Sequence, residues 1–189
     1  MFAGTYEKPS GFRLLGFLAR SAAGRFVRDR KGAAAVEFAM VATPFLAMLF
    51  AITETTLVFF AGQTLETAAA DSARLIMTGQ AQMQNFDQAK FKQAVCDRIH
   101  GLFNCVANLY VDVKTYKAFA DIDTKNPVDA NGNLKSDSFG YQPGGPGDIV
   151  VVRLMYQWPI FVPLTGLVDS SGNKRLLMST AAFRNEPYI

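Results

Sequence analysis

The longest apolar stretch of the chain lies near its N-terminus. Residues 33–60, AAAVEFAMVATPFLAMLFAITETTLVFF, include 21 apolar residues among 28, and no Lys or Arg occurs between Lys31 and Arg74. A helix of this length would measure about 42 Å, whereas the hydrocarbon core of a bilayer is about 30 Å thick. The pattern therefore predicts a transmembrane helix over residues 33–60.

The helical period continues beyond this stretch and becomes amphipathic. Small and apolar residues recur there at spacings of three and four, which is the period of one helix face. Gly79 is a natural end for such a helix. We therefore expect one long helix from about Ala33 to Thr78, whose outer half packs on its own domain rather than serving only as a seam between subunits. The recurring positions are Leu65, Ala68, Ala69, Ser72, Leu75, Ile76 and Gly79.

The rest of the chain has one further helical segment and three strand-like segments. Apolar residues at helical spacing predict a second helix over residues 87–103. Strand patterns cover residues 106–116, 148–158 and, more weakly, 175–186. The connection 121–147 is rich in Gly, Pro, Asn and Asp and predicts a long loop. A long helix on a small antiparallel sheet gives an α+β fold.

Charge is divided unevenly along the chain. Residues 1–31 carry seven Lys or Arg and two acids, whereas residues 33–189 carry 12 bases and 14 acids. By the positive-inside rule the basic segment stays in the cytoplasm, and everything after about Phe60 is extracytoplasmic. Bases alternate with Phe and Leu in the basic segment, which indicates association with a membrane surface rather than with nucleic acid.

Three residues interrupt the apolar stretch. Pro44 lacks an amide hydrogen and is expected to bend the helix. Glu54 falls near the outer membrane interface, where solvation is the default expectation and a contact with a partner subunit is the alternative. Glu37 lies within the membrane segment, where a charge is costly.

Two interpretations of the segment need no special role for Glu37. In an uncleaved anchor, Glu37 would pair with Arg30 or Lys31 at the cytoplasmic interface. A cleaved secretory signal, with Ala68–Ala70 as its small-residue site, is disfavoured because its apolar core would be too long.

Cleavage between Gly32 and Ala33 would give Glu37 a partner. Ala33 would then carry a new ammonium group, and Glu37 lies four residues later on the same helix face. Its carboxylate would also offset the helix dipole, or would pair with the amine of a neighbouring copy and set its axial register. The small side chains from Ala33 to Ala35 would let helices approach closely.

This order of residues resembles the processing site of type IV prepilins and pseudopilins. From Gly32 to about Arg74 the chain resembles the TadE-like family of the tight-adherence (Flp) pilus system, whose members are minor pseudopilins matured by a membrane aspartic prepilin peptidase. The resemblance implies that Gly32 ends a cleaved leader, that Ala33 begins the mature chain, and that Glu37 and Phe38 act in assembly. Major pilins of that system often have Glu-Tyr at this point, so Phe38 is a mild departure.

The resemblance implies a pilin-like protein of the bacterial inner membrane. It would have a leader at residues 1–32, a transmembrane helix at 33–60 and a periplasmic α+β domain at 61–189. It would initiate, prime or anchor a pilus together with other pilin and pseudopilin subunits, the prepilin peptidase and the inner-membrane assembly machinery. The alternative is an uncleaved single-pass anchor that presents an extracytoplasmic binding domain, since TadG-like relatives share the helix and not all are demonstrably processed.

Few residues suggest catalysis. No Gly-x-Ser-x-Gly, phosphate loop or paired-His motif occurs, and the single histidine, His100, limits general-base chemistry. Cys96 and Cys105 are extracytoplasmic in this topology, where disulfides form, and we predict a bridge between them. We expect a structural protein rather than an enzyme, with no cofactor.

A metal site is not predicted. The segment PVDANGNLKSDS departs from a calcium-binding loop, because Pro127 takes the first ligand position and Ser138 the last. A looser calcium site would have to draw on Asp121, Asp123 or Asp129.

Overall fold

The computed structural model describes residues 32–99, 104–125, 127–129, 133–161 and 174–188. The chain divides into two units, residues 1–49 and 50–189, and the first helix contributes residues to both.

The long N-terminal helix predicted from the sequence is present. Helix α1 runs from Ala33 to Met77 and continues through Pro44. Its side chains are exposed or half-buried up to Thr53, and from Glu54 onwards one face is buried. The predicted stripe is confirmed, except that Leu75 is half-buried. The buried residues of α1 are Glu54, Val58, Ala61, Leu65, Ala68, Ala69, Ser72, Ala73 and Ile76.

Within the described ranges, three short helices follow: α2 (Gln80–Met83), α3 (Gln88–Cys96) and α4 (Cys105–Asn108). The side chain of Asp87 caps α3 by accepting a hydrogen bond from the Lys90 amide at 2.7 Å.

Helix α3 is shorter than the predicted helix over residues 87–103. A continuous helix would separate residues nine apart by about 13.5 Å, whereas the Cα atoms of the disulfide-bonded Cys96 and Cys105 are 5.6 Å apart. The chain therefore turns after Cys96. The turn is closed by a hydrogen bond from the Ile99 amide to the Cys96 carbonyl, three residues earlier, at 3.1 Å. Positions 100–103 of the predicted helix, including His100, lie outside the described residues.

The three predicted strands are confirmed to within a few residues. They form an antiparallel sheet in the order β1 (Leu109–Tyr116), β2 (Ile149–Pro159) and β3 (Lys174–Arg184), with β2 in the centre. One face of the sheet joins α1 and α3 in the main hydrophobic core. Large fully buried members of this core are Leu65, Ile76, Phe91, Val95, Leu109, Val113, Val150, Val152 and Leu154.

The opposite face of the sheet is buried at its centre as well. Val151, Arg153 and Met155 of β2 are 2, 8 and 0% exposed, respectively. The loop that follows β1 approaches this face, because the amide of Gly140 donates to Oδ1 of Asp112, the residue of β1 that pairs with Arg153. The predicted long loop is confirmed, apart from short 3-10 turns at Phe119–Asp121 and Ser136–Ser138.

Candidate functional site

The beginning of α1 contains the predicted cleavage site. Gly32 directly precedes the helix, and Ala33 is its first residue. Both are exposed, and a Cβ atom added to Gly32 would meet nothing within 4 Å. The peptide bond between them therefore lies at an accessible helix start.

Glu37 and Phe38 are also exposed. Phe38 is 74% exposed, and the side chain of Glu37 forms no hydrogen bond or ion pair with any residue that the structure describes. Glu37 is the single charged residue in the sequence from Ala33 to Thr53. The structure thus places the two predicted assembly residues at consecutive positions on an unpacked part of the helix.

The surface around these residues is apolar. Within the described ranges, α1 is the one helix that is long and apolar enough to cross a membrane. Its large exposed side chains before Glu54 are Val36, Phe38, Met40, Val41, Phe45, Leu46, Met48, Leu49, Phe50 and Ile52.

Threonine hydroxyl groups in this segment and just after it form hydrogen bonds within the helix. Thr43 donates to the Ala39 carbonyl at 2.7 Å, and Thr55 donates to the Ala51 carbonyl at 2.8 Å. Such back-bonding removes the need for water at a hydroxyl group, so these threonines suit an apolar environment.

Glu54 ends the exposed apolar segment, and the expectation that solvent surrounds it is wrong. Its side chain is 5% exposed, and its Oε1 atom accepts a hydrogen bond from the amide of Phe161, just after β2. The sequence contained a signal for this burial, because Glu54 precedes Val58, Ala61 and Leu65 at helical spacing. The unpacked segment before it, residues 33–53, contains 21 residues and measures about 32 Å.

The exposed apolar part of α1 begins at Ala33, and the packed part of the helix begins at Glu54. Residues 32–74 match the family model of TadE-like proteins. Over this segment the chain resembles TadE-like proteins. The match is consistent with a TadE-like protein of the tight-adherence pilus system, a family that is structural rather than catalytic. No curated protein and no solved structure matches the chain.

The TadE-like segment includes Gly32, Ala33, Glu37 and Phe38, and it ends within the part of α1 that packs on the domain. The match suggests involvement in a tight-adherence pilus and association with pilus components. The long apolar helix suggests a membrane anchor with a C-terminal domain.

Outside the TadE-like segment, the predicted disulfide is present. Cys96 at the end of α3 and Cys105 at the start of α4 are bonded, with an S–S distance of 2.02 Å. The bond holds together two short helices that lie beside the sheet.

The C-terminal tail, residues 185–188, packs against the end of α1 and the loop before β2. The amide of Glu186 donates to the carbonyl of Met77, the last residue of α1, at 2.9 Å. The ring of Tyr188 lies where a side chain at Gly79 would be, because an added Cβ would be 2.3 Å from it. Asn185 is buried and donates to the carbonyls of Pro143 and Gly145.

The calcium alternative has no support within the described ranges. No group of three or more His, Cys, Asp or Glu side chains there could hold a metal ion.

Proposed function

We propose that this chain is a minor pseudopilin of a tight-adherence pilus in the bacterial inner membrane. Prepilin peptidase cleaves it after Gly32, and the mature chain initiates, primes or anchors the pilus together with other pilin and pseudopilin subunits and the assembly machinery. One observation carries the proposal: the TadE-like match begins at Gly32 and is followed by an unpacked apolar helix whose single charge lies four residues after Ala33.

The length of the unpacked segment supports its placement in a bilayer. Residues 33–53 measure about 32 Å as a helix, close to the hydrocarbon thickness of about 30 Å. The membrane boundary is then at Glu54 rather than at Phe60, because domain packing begins at Glu54. The seven bases of residues 1–31 orient the N-terminus toward the cytoplasm.

Cleavage supplies the partner of Glu37. Residues four apart on a helix have Cβ atoms about 5–6 Å apart, so the new ammonium group of Ala33 is within reach of the carboxylate. In a bundle of identical helices, the ammonium group of a neighbouring copy is an equivalent partner. Either pairing lowers the cost of a charge inside the membrane.

The test of processing is the intact mass and N-terminal sequence of the protein from membranes, with and without prepilin peptidase. Wild-type chain should begin at Ala33 only when the peptidase is present. Gly32→Leu should leave the chain uncut, and the fold should be unaffected because the position has open space around it. Gly24→Leu, the same change eight residues upstream, should be cut normally. A start at Met1 in every sample would overturn the proposal in favour of an uncleaved anchor.

The test of Glu37 separates assembly from processing. Glu37→Gln keeps the size of the side chain and removes its charge, so the chain should still be cut but should no longer support piliation. Asp71→Asn, at an exposed acid farther along α1, is the matched control and should assemble normally. Normal piliation with Glu37→Gln would show that the amine–carboxylate pair is not needed.

A further inference from the structure

The two outer edges of the sheet differ. On the β1 edge, the amide of Val113 donates to the carbonyl of Gly140 at 2.8 Å, and the carbonyl of Val113 accepts from the amide of Gln142 at 2.9 Å. The Oδ1 atom of Asp112 accepts from the amide of Gly140 as well, at 2.9 Å. The chain itself therefore closes the β1 edge.

The register identifies the backbone groups at the β3 edge. In an antiparallel sheet, backbone groups of successive residues point alternately to one neighbour and to the other. The amide and carbonyl of Val113 point away from β2. The amide and carbonyl of its partner Val152 therefore point away from β1 and toward β3. Val152 pairs with Ala181, so the amide and carbonyl of Ala181 point inward, toward β2. Those of its neighbours Thr180 and Ala182 point outward, away from the sheet.

The same alternation places the backbone groups of Met178 outward. Among the described residues, the amide and carbonyl groups of Met178, Thr180 and Ala182 have no partner on this side. A row of such groups is a template for an additional strand.

A groove lies beside this edge, between α1 and β3. It has a volume of about 380 Å³. The groove would accept the helix-facing side chains of an additional strand, and Phe59, which is 69% exposed, offers an apolar contact. Its lining residues on α1 are Val58, Phe59, Gly62, Gln63 and Glu66.

The charge of β3 restricts the occupant. The strand begins with Lys174 and Arg175, ends with Arg184 and contains no acid. A second copy paired antiparallel about the middle of the strand would bring Lys174 opposite Arg184, and like charges directly opposite are destabilising. The single acid of the groove, Glu66, already accepts a hydrogen bond from Gln63 at 3.4 Å. Charge complementarity therefore favours a strand with acidic residues at its ends.

We propose that β3 receives a fourth strand from another pilus subunit, an extended segment with an apolar, β-rich centre and acidic ends. The proposal rests on the proposed function only for the source of this strand. Its main-chain hydrogen bonds engage Met178, Thr180 and Ala182, and its inward side chains fill the groove along α1.

Hydrogen exchange with residue resolution on the full chain is the first test. In the purified chain in detergent, the outward amides of Met178, Thr180 and Ala182 should exchange at least tenfold faster than the inward amides of Ser179 and Ala181. In membranes from piliated cells the outward amides should become protected. Protection already present in the purified chain would place the occupant within this chain, and no protection in membranes would leave the edge without a partner; either result overturns the proposal.

Substitutions at the edge are the second test. Thr180→Pro removes an outward amide and no β2–β3 hydrogen bond, so the chain should fold and reach the membrane but lose the protection of Met178 and Ala182 together with most piliation. Thr180→Ala retains the amide and should behave as wild type. Wild-type piliation with Thr180→Pro would overturn the proposal.

A charge reversal distinguishes the two kinds of occupant. Lys174→Glu should weaken capture of an acidic strand and reduce piliation, whereas Lys174→Arg should not. If a second copy were the occupant, Lys174→Glu would instead strengthen self-association, because the new acid would lie opposite Arg184. That outcome overturns the acidic-partner proposal.

The two proposals fail separately. If the chain is cut at Ala33 and is required for pili while the β3 amides stay unprotected in membranes, the edge proposal fails and the proposed function stands. If pili form without this chain while the β3 amides are protected in membranes, the proposed function fails and strand addition stands.

Discussion

The contact between Gly79 and the C-terminal tail predicts two substitutions whose effects do not add. Gly79 has a φ of +76°, and a Cβ there would lie 2.3 Å from the ring of Tyr188. Gly79→Ala therefore has two costs. A residue with a Cβ must adopt a left-handed backbone, and the Tyr188 ring must leave its place.

The magnitudes follow from these two costs. The left-handed backbone costs about 1–2 kcal/mol. Truncating the half-buried ring with Tyr188→Ala costs about 2 kcal/mol, roughly half of what is typical for a fully buried aromatic residue. Gly79→Ala should therefore cost about 3–4 kcal/mol. The double variant should cost the same about 3–4 kcal/mol rather than the sum, because a ring contact that is already lost cannot be lost again.

The assay is urea unfolding of the full chain in detergent. Trp158 is the single tryptophan and is 7% exposed, so its fluorescence reports the unfolding of the domain. The difference in urea midpoint between variant and wild type is multiplied by the slope of the free energy of unfolding against urea concentration. The product gives the change in free energy of unfolding. A loss below about 1 kcal/mol for Gly79→Ala, or a double variant whose loss equals the sum of the single losses, would refute the reasoning.

Three other predictions use the same unfolding measurement. Replacing Cys96 and Cys105 together by Ser should lower the free energy of unfolding by about 2–3 kcal/mol, because the unfolded chain regains loop entropy; reduction of the wild type should give the same loss, and no loss in either case contradicts this. Burial raises the pKa of Tyr141 from 10.0 to about 12, so the folded state holds the phenolic proton more tightly and stability should fall as the pH rises from about 10 to about 12. Tyr141→Phe should flatten this part of the curve of midpoint against pH, and a curve parallel to that of the wild type contradicts the assignment. Glu54→Ala removes the acceptor at the end of β2 and should cost about 1.5–3 kcal/mol, whereas Glu66→Ala at an exposed site should change stability by less than about 0.5 kcal/mol; equal effects would contradict the role of Glu54.

The local spacing of apolar residues was sufficient to predict the helices and strands that bury one face. The stripe from Leu65 to Ile76 repeats every three or four residues because one side of α1 packs on the sheet. The run from Val150 to Leu154 is strand-like because β2 lies in the centre of the sheet. In both cases the signal is carried within about ten adjacent residues, so it can be read without knowledge of the rest of the chain.

Contacts between distant residues could not be read in this way. Glu54 is buried because Phe161, 107 residues later, donates to it. Asp112 alternates with apolar residues as an exposed strand residue would, yet it is 3% exposed because the amide of Gly140 binds it. The site residues Gly32 and Glu37 were predicted from a short sequence motif. They lie in or beside an apolar segment that does not pack on the domain, so they are exposed.

The hydrogen bond between Glu186 and Met77 has a consequence for synthesis. The carbonyl at the end of α1 receives its partner some 109 residues later in the chain. At about 5–20 residues per second, the ribosome needs roughly 5–20 s to produce that partner after it has made the helix. During this interval the nascent chain presents an open helix end and an uncovered Gly79 to chaperones and proteases. Closure of the domain therefore waits for the synthesis of Glu186, and a premature stop before that residue would leave the end of α1 open.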